Sequence, residues 1–255
     1  MEKPWLKRYP EGVPEEIDMS SFSSVLDIFH QSLEKYADRP AYVNFGKEIS
    51  FAELDRLSRD FAAYLQDLGL QKGDRIALMM PNIMQYPVAI FGALRARMVI
   101  VNTNPLYTAR ELRHQLQDSG ARAIVVVENF AHVLEKVKPD VPVEFIITTQ
   151  IGDLLGFPKK TLVNFVLKHI KKAVPPFNLP GAVKFNDALR EGSRHQLNRA
   201  DLTMDDIACL QYTGGTTGVA KGAMLTHRNL VANMLQAKQW IGSAELGKDR
   251  EYAIA

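Results

Sequence analysis

Four short, mainly apolar runs are the feature that most constrains the fold of this 255-residue chain. They lie at residues 76–80, 98–101, 123–127 and 143–147, and none of them alternates regularly between apolar and polar positions. A strand with one face in water does alternate, so runs of this kind are typical of strands covered on both faces, as in a parallel sheet. Residues 207–212 form a fifth run and are predicted to be another buried strand.

The first long spacer carries the signals of a helix. Ser50 and Glu53 have the spacing of a capping box, and Gly69 supplies a C-terminal stop. Between these signals, apolar residues recur every three or four positions at Phe51, Leu54, Leu57, Phe61, Leu65 and Leu68. This pattern predicts an amphipathic helix with both ends marked.

A second spacer repeats these signals, because Thr108 and Glu111 have the capping-box spacing and Gly120 follows as a stop. Strands separated by helices indicate βαβ units. The predicted fold class is therefore α/β, with repeated βαβ units and mostly parallel sheets.

Residues 152–192 interrupt this rhythm with four prolines and are predicted to connect two βαβ groups over the surface. They include an apolar face made by Leu162, Val163, Val166, Leu167, Ile170 and Val174. Five lysines accompany it, with no acidic residue from Pro158 to Lys172: Lys159, Lys160, Lys168, Lys171 and Lys172. The favoured interpretation is a surface helix docked on the core with its lysines in water. Contact with a membrane surface or an anionic ligand is the alternative.

Charge and cysteine usage exclude several functions. Lys and Arg total 31 against 29 Asp and Glu, so the net charge of +2 gives no global field to attract nucleic acid or an acidic membrane, and any basic surface must be local. Cys209 is the only cysteine, which excludes internal disulfides and Cys-rich metal sites. No run reaches the ~18 apolar residues of a spanning helix, and the N-terminus lacks a signal-peptide pattern. We expect a soluble cytoplasmic protein, at most peripheral at the inner face of the cell membrane.

The segment with the clearest chemical use is residues 213–222, Thr-Gly-Gly-Thr-Thr-Gly-Val-Ala-Lys-Gly. It is predicted to join the strand at 207–212 to a helix that Thr226 can cap. Glycines let backbone N–H groups approach phosphate oxygens, threonine hydroxyls add donors, and lysine adds a mobile positive charge. The segment therefore predicts a phosphate-binding loop.

This segment differs from two familiar phosphate-binding loops. The Walker pattern needs Gly-Lys followed by Ser or Thr, whereas Lys221 lies three residues beyond Gly218. The GxGxxG dinucleotide pattern is absent as well. A glycine-rich surface turn without function is the remaining alternative, and the concentration of glycine, threonine and lysine argues against it.

Residues 212–222 resemble the AMP-binding signature of the adenylate-forming superfamily, which includes acyl-CoA synthetases and peptide-synthetase adenylation domains. Other segments are similar to bacterial long-chain fatty acyl-CoA synthetases: residues 5–10, 81–82, 85–87, 101–108 and 225–229. The resemblance implies that residues 1–255 are an incomplete N-terminal adenylating domain. By the same resemblance, the segments that bind adenine and ribose, an acidic metal ligand and a C-terminal domain with an adenylating lysine are absent.

The resemblance also implies a two-step ligase reaction. A fatty acid carboxylate attacks the α-phosphate of ATP in the presence of Mg²⁺, pyrophosphate leaves, and the thiol of coenzyme A then attacks the acyl-AMP. Alternatives are a ligase for medium-chain or aryl acids, an enzyme that passes acyl-AMP to a carrier protein, and a non-catalytic phosphate- or acyl-binding module. The 255 residues alone are expected to be inactive. Because relatives form dimers, a homodimer is a further possibility that the resemblance implies.

Individual roles follow from the same resemblance. Thr213 matches a position that helps to hold magnesium and phosphate. The residues that match the loop around the leaving pyrophosphate are Gly214, Gly215, Thr216, Thr217, Gly218 and Lys221. Lys221 and Thr216 are the predicted catalytic residues. Ala220 stands where proline is common in the superfamily, a change that removes stiffness but no hydrogen-bond donor.

His227 follows this loop at the predicted start of a helix. It has no acidic or cysteine partner nearby in sequence, so a structural or loop-anchoring role is favoured over that of a general base.

Overall fold

The computed structural model describes residues 3–198, 201–213 and 220–242. A seven-stranded sheet at its centre has the strand order β7-β6-β5-β3-β4-β8-β9, and β1 and β2 form a separate antiparallel hairpin. The strands are β1 (Pro40–Asn44), β2 (Lys47–Ser50), β3 (Arg75–Met79), β4 (Val99–Asn102), β5 (Ala123–Val127), β6 (Phe145–Thr149), β7 (Val183–Lys184), β8 (Ile207–Thr213) and β9 (Lys221–Thr226).

Helices occupy most of the connections between these strands. The α-helices are α1 (Val25–Tyr36), α2 (Phe51–Asp67), α3 (Gln85–Arg95), α4 (Ala109–Ser119), α5 (Ala131–Val137), α6 (Lys159–Phe165), α7 (Phe185–Gly192) and α8 (His227–Gly242). Short 3₁₀ turns lie at Pro4–Arg8, Glu128–Phe130 and Lys138–Asp140, and a π-helical turn at Val166–Ile170 continues α6.

The central sheet is parallel except at one edge. Strands β3 to β8 all pair in parallel, and only β9 runs antiparallel, beside β8. The five residues of β5 are all fully buried, as the apolar run predicted. The predicted α/β fold with a mostly parallel sheet is confirmed.

Helices cover both faces of the sheet and give it two apolar cores. One core includes buried side chains of α1, α2, α3, α7 and α8, and the other includes those of α4 and α5. The chain moves from β3 to β4 through α3 and then back across β3 to β5 through α4. Since parallel crossovers are right-handed, these opposite directions of travel place α3 and α4 on opposite faces.

The predicted helix ends are also found. Ser50 Oγ accepts a hydrogen bond from the N–H of Glu53 at 3.1 Å. Thr108 and Glu111 make both halves of a capping box, with the Glu111 carboxylate accepting from the Thr108 N–H at 2.8 Å. Gly120 ends α4 in the left-handed conformation, at φ 60°, which glycine adopts without strain.

Residues 152–192 differ from the prediction of a connection between two βαβ groups. Val183 pairs in parallel with Ile147, so β7 extends the same sheet, and α7 adds Phe185 to the core beside Phe61. Strand β7 has only two residues, Val183 and Lys184, which is too few to show an apolar pattern in the sequence. Within the described ranges, no helix combines the length and the apolarity that crossing a bilayer requires.

Candidate functional site

The segment predicted to bind phosphate lies at the tip of a β-hairpin. Strand β9 pairs antiparallel with β8, with Ile207 opposite Thr226 at the open end and Thr213 opposite Lys221 at the tip. The sequence predicted a direct passage from strand to helix, and that was wrong, because residues 221–226 form a strand first. Lysine, glycine and alanine are weak strand formers, so β9 carries little propensity signal of its own.

Of the predicted site residues at the hairpin tip, the structure describes one with a hydroxyl, Thr213, and one cation, Lys221. Gly214, Gly215, Thr216, Thr217 and Gly218 lie outside the described residues, and their predicted roles stay predictions. Thr213 and Lys221, the two predicted site residues that are described, are both exposed. Residues directly opposite each other in an antiparallel pair project from the same face, so the hydroxyl and the ammonium group share one side of the hairpin. Within residues 3–198, 201–213 and 220–242, Lys221 has no carboxylate partner.

Helix α4 holds both stems of this tip. Tyr212 donates its hydroxyl to Asp118 Oδ2 at 2.5 Å, and burial together with this carboxylate raises the pKa of Tyr212. On the other stem, His114 Nε2 lies 3.0 Å from the carbonyl oxygen of Ala220, so a proton on this nitrogen can be donated there. The two contacts hold Tyr212 and Ala220 against α4.

Tyr212 is also packed against the opposite strand. A Cβ atom built on Gly222 would lie 2.9 Å from Tyr212 Cε2 and 3.0 Å from Cζ. Glycine is therefore required at position 222 for the ring to lie where its hydroxyl meets Asp118.

A polar network adjoins the hairpin at the carboxyl ends of two neighbouring strands. Tyr86 donates its hydroxyl to Asn102 Oδ1 at 2.9 Å, and Asn102 Nδ2 donates to Gln211 Oε1 at 2.9 Å. Gln115 holds the backbone of the same residue by donating to the Asn102 carbonyl oxygen at 2.9 Å. These residues had no predicted role, because Asn102 and Gln211 are 109 positions apart and meet only through the pairing of β4 with β8.

Three side chains make hydrogen bonds at the junction between β9 and α8: Thr226, Asn229 and His227. Thr226 Oγ1 accepts from the N–H of Asn229 at 3.3 Å while Asn229 Oδ1 accepts from the N–H of Thr226, so the predicted cap is confirmed. His227 is buried, and its Nδ1 accepts from the N–H of Val25 at 3.2 Å. Burial lowers the pKa of His227, with Asp206 opposing the shift. These contacts support the predicted structural role.

The described side chains of the hairpin tip can donate hydrogen bonds to an anion. Among the residues that the structure describes, no three His, Cys, Asp or Glu side chains converge in a way that could hold a metal. Thr213 lies at the carboxyl end of the parallel strand β8 with Lys221 opposite it, and an exposed hydroxyl beside an exposed ammonium can bind a phosphate-bearing ligand.

The sequence itself assigns the family. A family model described as AMP-binding enzyme matches residues 29–254, and the chain belongs to this family. It is 58% identical over 243 residues to a long-chain-fatty-acid–CoA ligase of Escherichia coli O157:H7, covering 95% of this chain and 43% of that protein. A protein of the same name from Haemophilus influenzae is 54% identical over 248 residues, covering 97% of this chain and 44% of its own length.

Solved structures show the same fold. A long-chain-fatty-acid-CoA ligase from Archaeoglobus fulgidus superposes with a TM-score of 0.71 at 25% identity, covering 92% of this chain and 42% of that one. The anthranilate CoA ligase AuaEII, in complex with anthranoyl-AMP, gives a TM-score of 0.67 at 21% identity, over 83% of this chain and 36% of that one. The chain thus spans less than half the length of the curated relatives and solved structures named here.

Proposed function

We propose that the protein to which this chain belongs is an ATP-dependent ligase that converts a long-chain fatty acid, through acyl-AMP, to its coenzyme A thioester. The observation that carries the proposal is the pairing of Thr213 with Lys221 at the two ends of the glycine- and threonine-rich segment. Identity of 54–58% to long-chain-fatty-acid–CoA ligases over most of the chain supports the choice of substrate.

The hairpin tip would act on the phosphates of ATP. The Lys221 ammonium would neutralise charge on the leaving pyrophosphate, and the Thr213 hydroxyl would donate to a phosphate oxygen or serve as an oxygen ligand of Mg²⁺. Mg²⁺ accepts such a setting because it is usually bound through substrate phosphates and waters with few protein ligands. Thr216 remains a proposed catalytic residue, and the remaining loop positions are proposed to donate backbone N–H groups: Gly214, Gly215, Thr217 and Gly218.

The proposal places residues 1–255 in the N-terminal part of an adenylating domain. The chain covers 43% of the length of the Escherichia coli relative, so it corresponds to only a part of such a protein. On this proposal the acyl pocket and the coenzyme A site are completed by chain that lies outside these residues.

The setting of the protein is part of the proposal. We infer a cytoplasmic enzyme in peripheral contact with the inner face of the cell membrane, since its substrate acid is membrane-soluble. The homodimer stays a prediction of the family resemblance, and sedimentation of the purified full-length protein tests it.

Pyrophosphate exchange into ATP by the full-length protein tests the function directly, with palmitate, octanoate and benzoate compared as acids. We expect palmitate to drive the fastest exchange and, once coenzyme A is added, to yield palmitoyl-CoA. Faster exchange with octanoate or benzoate would contradict the long-chain substrate but would still support the adenylation reaction. Absence of exchange with every acid would contradict the ligase assignment.

A further inference from the structure

A surface that the proposed reaction does not use lies along α6 and the turn that follows it. Four large apolar side chains are mostly exposed there: Phe157 at 90%, Leu162 at 62%, Phe165 at 54% and Ile170 at 63%. The tip of the β1–β2 hairpin adds Phe45, which is 63% exposed. Lys159 joins the two parts, because its Nζ donates to the carbonyl oxygens of Phe45 and Gly46 at 3.1 and 3.3 Å. We call these five apolar side chains, with the neighbouring lysines, the basic apolar face.

The segment is attached to the rest of the protein by other side chains. Val163 packs against the core, and Asn164 Oδ1 accepts from the N–H of Gly152 at 2.8 Å. Lys160 lies 3.4 Å from Asp153. The apolar side chains of the basic apolar face are therefore not the ones that dock α6, and they meet solvent while the helix is already held in place.

Lysines predominate along α6 and the residues after it, and Asp153 pairs with one of them, Lys160. No Asp or Glu occurs from residue 154 to residue 186, although the whole chain is nearly neutral. Lys168, Lys171 and Lys172 are exposed, and none has a carboxylate partner in the part of the chain that the structure describes. Among the described residues, the charge of these three lysines is thus local and not offset by an ion pair.

We propose that the basic apolar face docks the protein on a membrane surface that contains anionic lipids. Exposed phenylalanine, leucine and isoleucine can enter the boundary between headgroups and acyl chains, while lysines on flexible stems reach anionic headgroups. The lysine cluster favours this occupant over a neutral apolar protein surface, which would leave the charges without partners. The proposal deepens the membrane contact proposed above by naming its surface, and it holds or fails independently of ligase activity.

Co-sedimentation of the full-length protein with lipid vesicles tests the proposal. One set of vesicles is phosphatidylcholine alone and the other contains about 30% phosphatidylglycerol. We expect preferential binding to the anionic vesicles that weakens at about 1 M salt, where charges are screened within a few ångströms. Equal binding to both sets, or none, would overturn the proposal.

Two variants separate the apolar and charged contributions. L162S/F165S/I170S and K168E/K171E/K172E should each reduce the affinity for anionic vesicles by about tenfold or more. Leu106→Ser and Lys136→Glu change exposed residues of the same kinds elsewhere and should leave binding unchanged. Binding that survives both triple variants would contradict this surface.

Other occupants give different results. If the remainder of the protein covers the face, L162S/F165S/I170S should lower thermal stability and palmitate activation together. If a second copy covers it, the same variant should convert a dimer to a monomer. Either outcome would overturn the proposal.

A tryptophan reporter tests the surface without removing its apolar side chains. The fluorescence of Trp introduced by Phe165→Trp should be quenched by brominated lipid in anionic vesicles, whereas that of Trp introduced by Leu106→Trp should not.

Discussion

Thr213 and Lys221 owe their shared position to strand pairing. They are eight residues apart in sequence, and the register of β8 with β9 places them opposite each other. Each is exposed, so neither contributes much to packing, and Lys221 has no carboxylate partner among the residues that the structure describes. We therefore expect Thr213 and Lys221 to matter for ligand binding rather than for folding. Substitutions at these two positions should change catalysis and leave stability unchanged.

Lys221→Ala in the full-length protein should slow palmitate-dependent pyrophosphate exchange by about 10- to 100-fold. The expected loss corresponds to one hydrogen bond to a charged oxygen, about 1.5–3 kcal/mol. Thr213→Ala should slow it in the same direction. Lys238→Ala, an exposed lysine on α8, is the matched control, and all three variants should keep the urea midpoint of the wild type. An unchanged exchange rate in Lys221→Ala would show that other residues, and not Lys221, neutralise the phosphate charge.

Tyr212→Phe removes the hydroxyl that joins the hairpin to α4 and keeps the ring. The bond to Asp118 should contribute about 1 kcal/mol to the free energy of unfolding, since Asp118 is exposed and water can replace its partner. Urea denaturation measures that loss. If the bond positions the tip for ATP, the KM for ATP should rise as well; a stability loss with an unchanged KM would limit Tyr212 to a structural role.

At the scale of elements, the sequence predicts the regular parts well because they carry local signals. Ser50, Thr108 and Gly120 mark helix ends within a few residues of themselves, and the structure has them there. Strand β6 shows the limit: it continues beyond the apolar run through Thr148 and Thr149, both buried. Because threonine is polar, the apolar pattern does not show that the strand continues. Thr149 is nevertheless accommodated in the interior, because its hydroxyl accepts a hydrogen bond from Gln85 Nε2 at 3.0 Å.

The candidate site was predicted only as far as its residue types. Thr213 and Lys221 were identified from the signature, but β9 was not. Its residues have weak strand propensity, and it forms a strand because it pairs with β8 in the folded protein. The network of Tyr86, Asn102 and Gln211 was likewise out of reach, since it depends on strand order rather than on spacing along the chain.

Gly222→Ala tests the packing of the hairpin. The added methyl group would lie 2.9 Å from the Tyr212 ring, so the ring or strand β9 must shift. We expect a loss of about 1–3 kcal/mol in the free energy of unfolding, the usual cost of overpacking. Ala223→Ser adds one atom at the exposed neighbouring position and should change stability little. Equal stability of the two variants would show that the ring moves freely.

His227 links α8 to the start of α1 and should make stability depend on pH. Its pKa is lowered in the folded protein, chiefly by burial, so below the ordinary value of 6.5 the unfolded chain binds the proton more readily. The contribution is complete above about pH 7.5 and declines as the pH falls through 6.5 toward the lowered pKa of the folded state. The variant His227→Asn keeps an acceptor for the Val25 N–H and should flatten this slope in thermal unfolding. His169→Asn, at an exposed histidine, should retain it.

At the scale of the whole molecule, one sheet serves two separate surfaces. The carboxyl ends of β4 and β8 carry the polar network and the hairpin tip, and the long connection from β6 to β7 carries the basic apolar face. The proposed chemistry and the proposed membrane contact therefore use different elements. A rigid parallel sheet between two helical layers keeps their relative positions fixed.

The 255-residue chain on its own should form no acyl-AMP from ATP, magnesium and palmitate. Its described residues place one hydroxyl and one ammonium beside the proposed phosphates, whereas in-line displacement needs the acid, the α-phosphate and the metal positioned together. Rate enhancement of that kind requires several groups acting as a unit, and removing some of them loses most of the effect. Hydroxylamine trapping of acyl-AMP measures the reaction, with the full-length protein as the positive control and circular dichroism as the check on folding. Acyl-AMP made by the short chain would show that the hairpin and its neighbours suffice, and that the further chain of the relatives serves coenzyme A transfer instead.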